Sequence, residues 1–201
     1  DEAESRAYAA IALAGRLIEQ DPLSTHFQAM LVRAHWAAAM AYAVEGRTDE
    51  IEGVVASCER MFRDTAGYTL DPAQSLSSER LLVGLRMDAA VAAHGADWSV
   101  EMLTEGIELA TTLLRRMPGD FELHDWRLGL LHERLAAHAR AGRLQDAERD
   151  AATLEAGVEA MVSAFPDRRG ADLRSLDWRR AIGRFRRGEY NMTEEAEQAA
   201  R

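Results

Sequence analysis

Apolar residues recur along this chain at three- and four-residue spacings, in stretches of about twenty residues. Leu109, Leu113 and Met117 fall on one helical face, and Leu123, Leu130, Leu131 and Leu135 mark another. No β-rich stretch of alternating apolar and polar residues interrupts them, and β-branched residues are scattered. The pattern predicts helices over 3–20, 24–45, 48–65, 74–94, 98–116, 121–141, 144–164, 171–187 and 192–200. Thr25 and Gln28 have the spacing of a capping box. Thr48 before Asp49 and Glu50 puts acids in a first turn, and Asp97 and Thr193 are placed to cap their own helices. Glu2 with Arg6 and Glu59 with Arg63 are favourable i,i+4 pairs.

The punctuation between these stretches is regular. Pro22, Pro72, Pro118 and Pro166 stand 50, 46 and 48 residues apart, and Gly46, Gly95, Gly142 and Gly188 follow them by 24, 23, 24 and 22. Ala41, Ala90 and Ala137 precede a glycine by five residues, and Ala43, Ala92 and Ala139 by three. Glu52, Glu101, Glu148 and Glu194 follow by six, and Glu59, Glu108 and Glu155 by thirteen. Proline is suited to open a helix, since its missing N–H would be unpaired in the first turn. Asp21 and Asp71, just before their prolines, are suited to cap or turn. Glycine ends a helix by adopting a left-handed backbone. The repeated alanines would let neighbouring helices approach closely. Each period is therefore read as a helical hairpin. The expected fold is all-α: a right-handed α-solenoid of stacked antiparallel hairpins, with four units of about 48 residues in one domain spanning 1–201.

Hairpins with glycine at the turn and proline at the boundary resemble tetratricopeptide repeats, and Ala147 falls where that family places a small residue in its second helix. Residues 5–85 carry a narrower resemblance. Gly15-Arg-Leu-Ile-Glu-Gln-Asp-Pro-Leu23 is followed by Gly46-Arg47, and then by Glu59-Arg-Met-Phe-Arg-Asp-Thr-Ala-Gly-Tyr-Thr-Leu-Asp-Pro72. This order resembles the bacterial transcriptional activator domain, a tetratricopeptide-like module of winged-helix regulators. Gly67-Tyr68 and Pro72 stand in for its helix exit. The resemblance implies a regulatory or interaction module within a larger protein and carries over no catalytic residue.

Composition narrows the function. The 201 residues are 47% hydrophobic and 29% charged, with a net charge of −10. That is a globular composition, and its acidic field repels phosphate backbones. All 24 basic residues are arginine. The absence of lysine excludes a phosphate-loop lysine and Schiff-base chemistry. Cys58 is the one cysteine, so no intrachain disulfide forms, and a reducing, cytoplasmic setting is expected. Cys58 itself reads as a small core residue, with a reactive thiol as the alternative. The longest uncharged apolar run, Trp36 to Val44, is too short to span a membrane. The first residue is Asp1 and not Met, so a piece of a larger protein is expected.

Candidate chemistry is sparse. His26, His35, His94, His124, His132 and His138 lack the i,i+4 or Glu-x-x-His spacing of a helical chelate. Asp146, Glu148 and Asp150 read as a solvated charge run. The segment Asp167 to Gly188 stands apart, with eight arginines against three aspartates in an acidic chain. Its candidate interaction residues are Arg179, Arg180, Arg184, Arg187 and Trp178, of which Arg180, Arg184 and Arg187 share a helical face. Three readings stand for this segment: a salt-bridged terminal helix with an aromatic core stripe, a patch for anions or an acidic partner, and a nucleic-acid contact. Trp126 and Trp178 recur in Asp-Trp-Arg triplets and read as core packing or as ligand platforms. An acidic body with a basic end also suits homo-oligomers joined head to tail. The expectation is a non-enzymatic module with no catalytic, cofactor or metal site, binding a protein partner or a flanking domain and no membrane. A small-molecule sensor and an arginine-dependent nucleic-acid contact are the alternatives.

Overall fold

A computed structural model describes residues 2–47, 49–66, 72–92 and 100–189, and among them every regular element is a helix. These are α1 (Glu2–Gln20), α2 (Thr25–Val44), α3 (Asp49–Ala66), α4 (Pro72–Ala92), α5 (Val100–Arg116), α6 (Phe121–Arg140), α7 (Leu144–Ala164) and α8 (Arg169–Arg186). Each lies within two residues of the range that hydrophobic spacing predicts. The expected last helix at 192–200, with Thr193 and Glu194, lies outside the described residues, as do Thr48, Gly67, Tyr68, Asp71, His94, Gly95 and Asp97.

The chain divides into two compact units, Asp1–Trp98 and Ser99–Arg201. In the first, α2 packs on α1, α3 and α4, and α3 packs on α4. Its core holds Leu31, Ile51, Val55 and Leu85, each nearly sealed from solvent. In the second, α6 packs on α5, α7 and α8, and α7 packs on α8. Leu103, Leu113, Leu123, Leu130, Leu131, Leu135 and Leu154 fill its core. Burying one such side chain contributes roughly 1.5–3 kcal/mol, so these leucines dominate the stability of the unit.

The prolines act one step earlier than the sequence suggests. Pro22, Pro118 and Pro166 sit second in four-residue turns, closed by bonds from Ser24 N to Asp21 O (3.2 Å), Asp120 N to Met117 O (3.1 Å) and Arg168 N to Phe165 O (3.1 Å). The fixed φ of proline suits that turn position, and the helix begins three residues later. The cap of α2 is accordingly Ser24, whose Oγ accepts from Phe27 N at 3.4 Å, and not Asp21 or Thr25. Gln28 does not complete a capping box, because its Nε2 donates to Pro22 O at 2.9 Å. Pro72 alone is itself the first residue of its helix.

The glycine ends hold where they are described. Gly46 and Gly142 have φ of 70° and 71°. Arg47 N reaches back to Tyr42 O, and Arg143 N to His138 O, both at 2.9 Å. Gly46 N and Gly142 N bond to the carbonyls of Ala43 and Ala139. This is a Schellman motif, and a side chain at the glycine would strain it. The repeated alanines thus supply cap acceptors, Ala41 O and Ala137 O included.

Pro22 and Pro118, Ser24 and Asp120, and Gly46 and Gly142 are each 96 residues apart. The same interval carries α2 onto α6, and both units pair their helices in the same order. One four-helix pattern is built twice.

Candidate interaction face and a buried ionic layer

Helix α8 turns Ala171, Ser175 and Ile182 inward. Trp178 follows them: its Nε1 donates to Asp125 Oδ1 at 3.2 Å, and its ring lies 5.6 Å from that of His132. Arg174 Nε stands 3.2 Å from Asp125 Oδ2. The two Asp-Trp-Arg triplets therefore meet, the aspartate of one holding the tryptophan of the other. Burial pushes the Asp125 carboxyl above the usual range, against the pull of Arg174 and the indole N–H. Trp178 packs α8 onto α6 and is not an exposed platform.

The arginines divide. Arg179, Arg180, Arg184 and Arg187 are exposed. Arg180 stands 3.7 Å from Asp177, Arg184 stands 3.6 Å from Glu189, and Arg187 Nη2 donates to Glu189 at 3.1 Å. Arg179 has no ion-pair partner among the described residues. Arg186 turns the other way, to Glu155 at 3.0 Å and Glu148 at 3.5 Å on α7. Leu173 and Leu176 are 57% and 51% exposed. Helical spacing sets them in line with Arg180, Arg184 and Arg187. The outer face of α8 is thus a stripe, apolar at its start and basic at its end.

Inside the second unit lies a layer that sequence reasoning missed. Asp150 belongs to no solvated run: it is buried and accepts two bonds from Arg134, Nε to Oδ2 at 3.0 Å and Nη2 to Oδ1 at 2.6 Å. Arg134 Nη1 donates to Thr104 Oγ1 at 2.9 Å. One guanidinium thereby ties α6 to both α5 and α7, with each of its three nitrogens bonded. His138 Nε2 stands 3.7 Å from Asp150 Oδ2, and its Nδ1 is buried without a partner. Burial holds this imidazole below its ordinary value, against the pull of Asp150. The other two acids of the run behave as surface groups: Asp146 pairs with Arg149, and Glu148 is exposed.

The corresponding interior of the first unit is mostly apolar. Ala38 and Val54 stand where Arg134 and Asp150 stand in the second. Tyr42 matches His138; its hydroxyl meets Tyr8 at 2.6 Å and donates to Glu4 at 3.0 Å. Arg47 holds Glu4 at 3.1 Å and covers the Tyr42 ring at 4.4 Å. Besides Gln28, Arg86 and His35 are buried elsewhere in this unit. Arg86 of α4 pairs with Glu59 of α3, so Glu59 does not serve Arg63. His35 is 1% exposed, with Nδ1 2.9 Å from Leu31 O and Nε2 unpartnered, and burial lowers its affinity for a proton. Cys58 is sealed in the core, and burial pushes its thiol far up, which makes it inert.

The remaining described histidines pack. His124 bonds the Pro118 carbonyl at 3.1 Å and lies edge-on to Phe165, and His26 packs beside Phe27. Among the described residues no three of His, Cys, Asp and Glu converge as metal ligands would. No described helix is long and apolar enough to cross a membrane. No family model, no curated protein and no solved structure matches the chain.

Proposed function

We propose that the chain is a non-enzymatic helical-repeat module that docks a protein partner or a flanking domain of its own polypeptide. Its four hairpins of about 48 residues would form a right-handed, tetratricopeptide-like solenoid. The observation that carries this reading is the packing of α2 on both α3 and α4, and of α6 on both α7 and α8. Hairpins that stack in a solenoid need that arrangement: α2 and α6 meet their own hairpin partners, α3 and α7, across the glycine turn, and also the first helix of the next period, α4 and α8. A cytoplasmic bacterial regulator, transcriptional or signalling, is the setting that the sequence resemblance favours. The α8 stripe of Leu173, Leu176, Arg180, Arg184 and Arg187 is the surface we assign to docking. Nucleic-acid contact is a weaker reading, because Glu189, Glu155 and Glu148 already neutralise Arg184, Arg187 and Arg186.

The test is a full-length protein carrying Leu176→Glu with Arg180→Glu. Cross-linking in cells should lose the contacts that map to α8, while thermal unfolding stays unchanged. Retained contacts would remove α8 as the docking face, and unchanged cellular function after deletion of 1–201 would remove the whole reading. Binding of DNA or RNA that falls steeply with salt and collapses in Arg180→Ala/Arg184→Ala would favour the nucleic-acid alternative.

A further inference from the structure

The Thr104–Arg134–Asp150 layer recurs one heptad away on all three helices. Seven residues from each stand Thr111 on α5, Arg127 on α6 and Gly157 on α7. The arginine–threonine contact repeats too, through Nε where Arg134 uses Nη1. Arg127 Nε donates to Thr111 Oγ1 at 2.8 Å, and Thr111 Oγ1 in turn donates to Ile107 O at 2.7 Å. On the far side Arg127 Nη1 lies against Gly157, where an added Cβ would stand 3.3 Å from that nitrogen. The difference is the anion. Asp150 fills the fork of Arg134, whereas the position facing Arg127 has no side chain.

Arg127 is half-buried and has no ion-pair partner among the described residues. Its Nη1 and Nη2 make no hydrogen bond, and neither is fully sealed from solvent. A guanidinium partly withdrawn from water without a counter-ion is unfavourable, and burial together with the Arg134 charge weakens its hold on the proton. With Nε committed to Thr111, the free edge is the end-on pair Nη1/Nη2. That edge matches the two oxygens of a carboxylate.

We infer that Arg127, held by Thr111 and left uncovered by Gly157, is a binding site for a carboxylate supplied from outside the unit, in the role that Asp150 plays for Arg134. The carboxylate is that of a small organic acid or of an Asp or Glu side chain on a partner. The site stands whether or not α8 docks a protein.

Guanidinium-detected NMR of the 15N-arginine-labelled protein tests this at constant ionic strength, with acetate, succinate, a hexaglutamate peptide and inorganic phosphate as probes. The Arg127 Nη–H signals should shift saturably with the carboxylates, while those of Arg134 stay in place. Arg127→Gln should weaken the binding about tenfold or more, and Arg127→Lys, which keeps the charge but not the fork, should weaken it as well. Arg115→Gln, an exposed change on α5, should leave it intact. Tighter binding of succinate points to a small acid, and tighter binding of the peptide to a partner side chain. The inference is overturned if no carboxylate saturates the Arg127 signals, if phosphate alone does, or if binding survives Arg127→Gln. The wild-type signals decide the matter even if a variant fails to fold.

Discussion

The two units share one helical plan and fill it differently. In the first, Gly15 on α1 makes room for Met61 on α3, with Leu31 of α2 fully buried beside them in sequence register. In the second, the matching residues are Thr111, Arg127 and Gly157, so the missing side chain has moved from the first helix to the third. The neighbouring layer changes from Tyr8, Ala38 and Val54 to Thr104, Arg134 and Asp150. Helix order, turns and caps are indifferent to this exchange. What sets the plan is the punctuation and the apolar core, and the contents of an interior layer are free to vary from apolar to ionic.

The sharpest way to break the contrast is to remove one member of the ionic layer. Asp150→Ala leaves Arg134 without its counter-charge and should cost about 3 kcal/mol in urea unfolding. Replacing both, Arg134→Met with Asp150→Leu, makes the second unit resemble the first and should recover stability to within about 1 kcal/mol of wild type. A double variant as damaged as the single one would show that the layer cannot be exchanged for an apolar one.

The two close-approach glycines should respond unequally. An alanine Cβ at Gly157 would stand 2.6 Å from Cδ2 of Leu128, which is 1% exposed and cannot yield. Gly157→Ala should cost about 1–3 kcal/mol, read as faster amide exchange in α6 and α7. At Gly15 the Cβ would meet only the flexible end of Met61, at 3.0 Å. Gly15→Ala should stay within about 1 kcal/mol of wild type, helped by helix propensity.

Acid should act on both units, through one buried histidine in each. His35 and His138 both bind protons less readily when folded than their ordinary value of 6.5 implies. Between the depressed folded value and 6.5 the unfolded chain binds more protons, so stability is complete above 6.5 and falls as pH drops below it. The loss is at most about 1.4 kcal/mol per pH unit for each histidine. His35→Leu, which installs the residue found at Leu131, should remove the share of the first unit from a pH series of melting temperatures. The caps should give the smallest effect, about 1 kcal/mol for Asp120→Ala and less for Ser24→Ala, whose bond is the longer.

The helices were legible because their signals are local. Spacing of leucines, prolines and glycines is read within twenty residues; what shifted lies at the helix starts, where three of the four prolines sit in turns and Ser24 takes the cap expected of Asp21 or Thr25. The repeated glutamates were legible as a pattern but not as a mechanism. Glu59 meets Arg86 and Glu155 meets Arg186, each on the following helix, 27 and 31 residues away. The ionic layer was illegible for the same reason. Spacing with Ala147, Leu154 and Val158 sets Asp150 on the buried face of α7, but its partners Thr104 and Arg134 come from two other helices, out of reach of any local pattern. The α8 arginines were visible as a cluster, but their division between Glu189 and α7 depends on which way each side chain turns.

The 96-residue register has a consequence for how such a chain can grow. Turns, caps and glycine ends recur in phase, so a whole block can be duplicated or deleted in the gene without cutting into a helix or orphaning a cap. Once two copies exist, one can keep its interior dry while the other drifts toward charge. Length and internal chemistry thus become separate variables, open to selection one at a time.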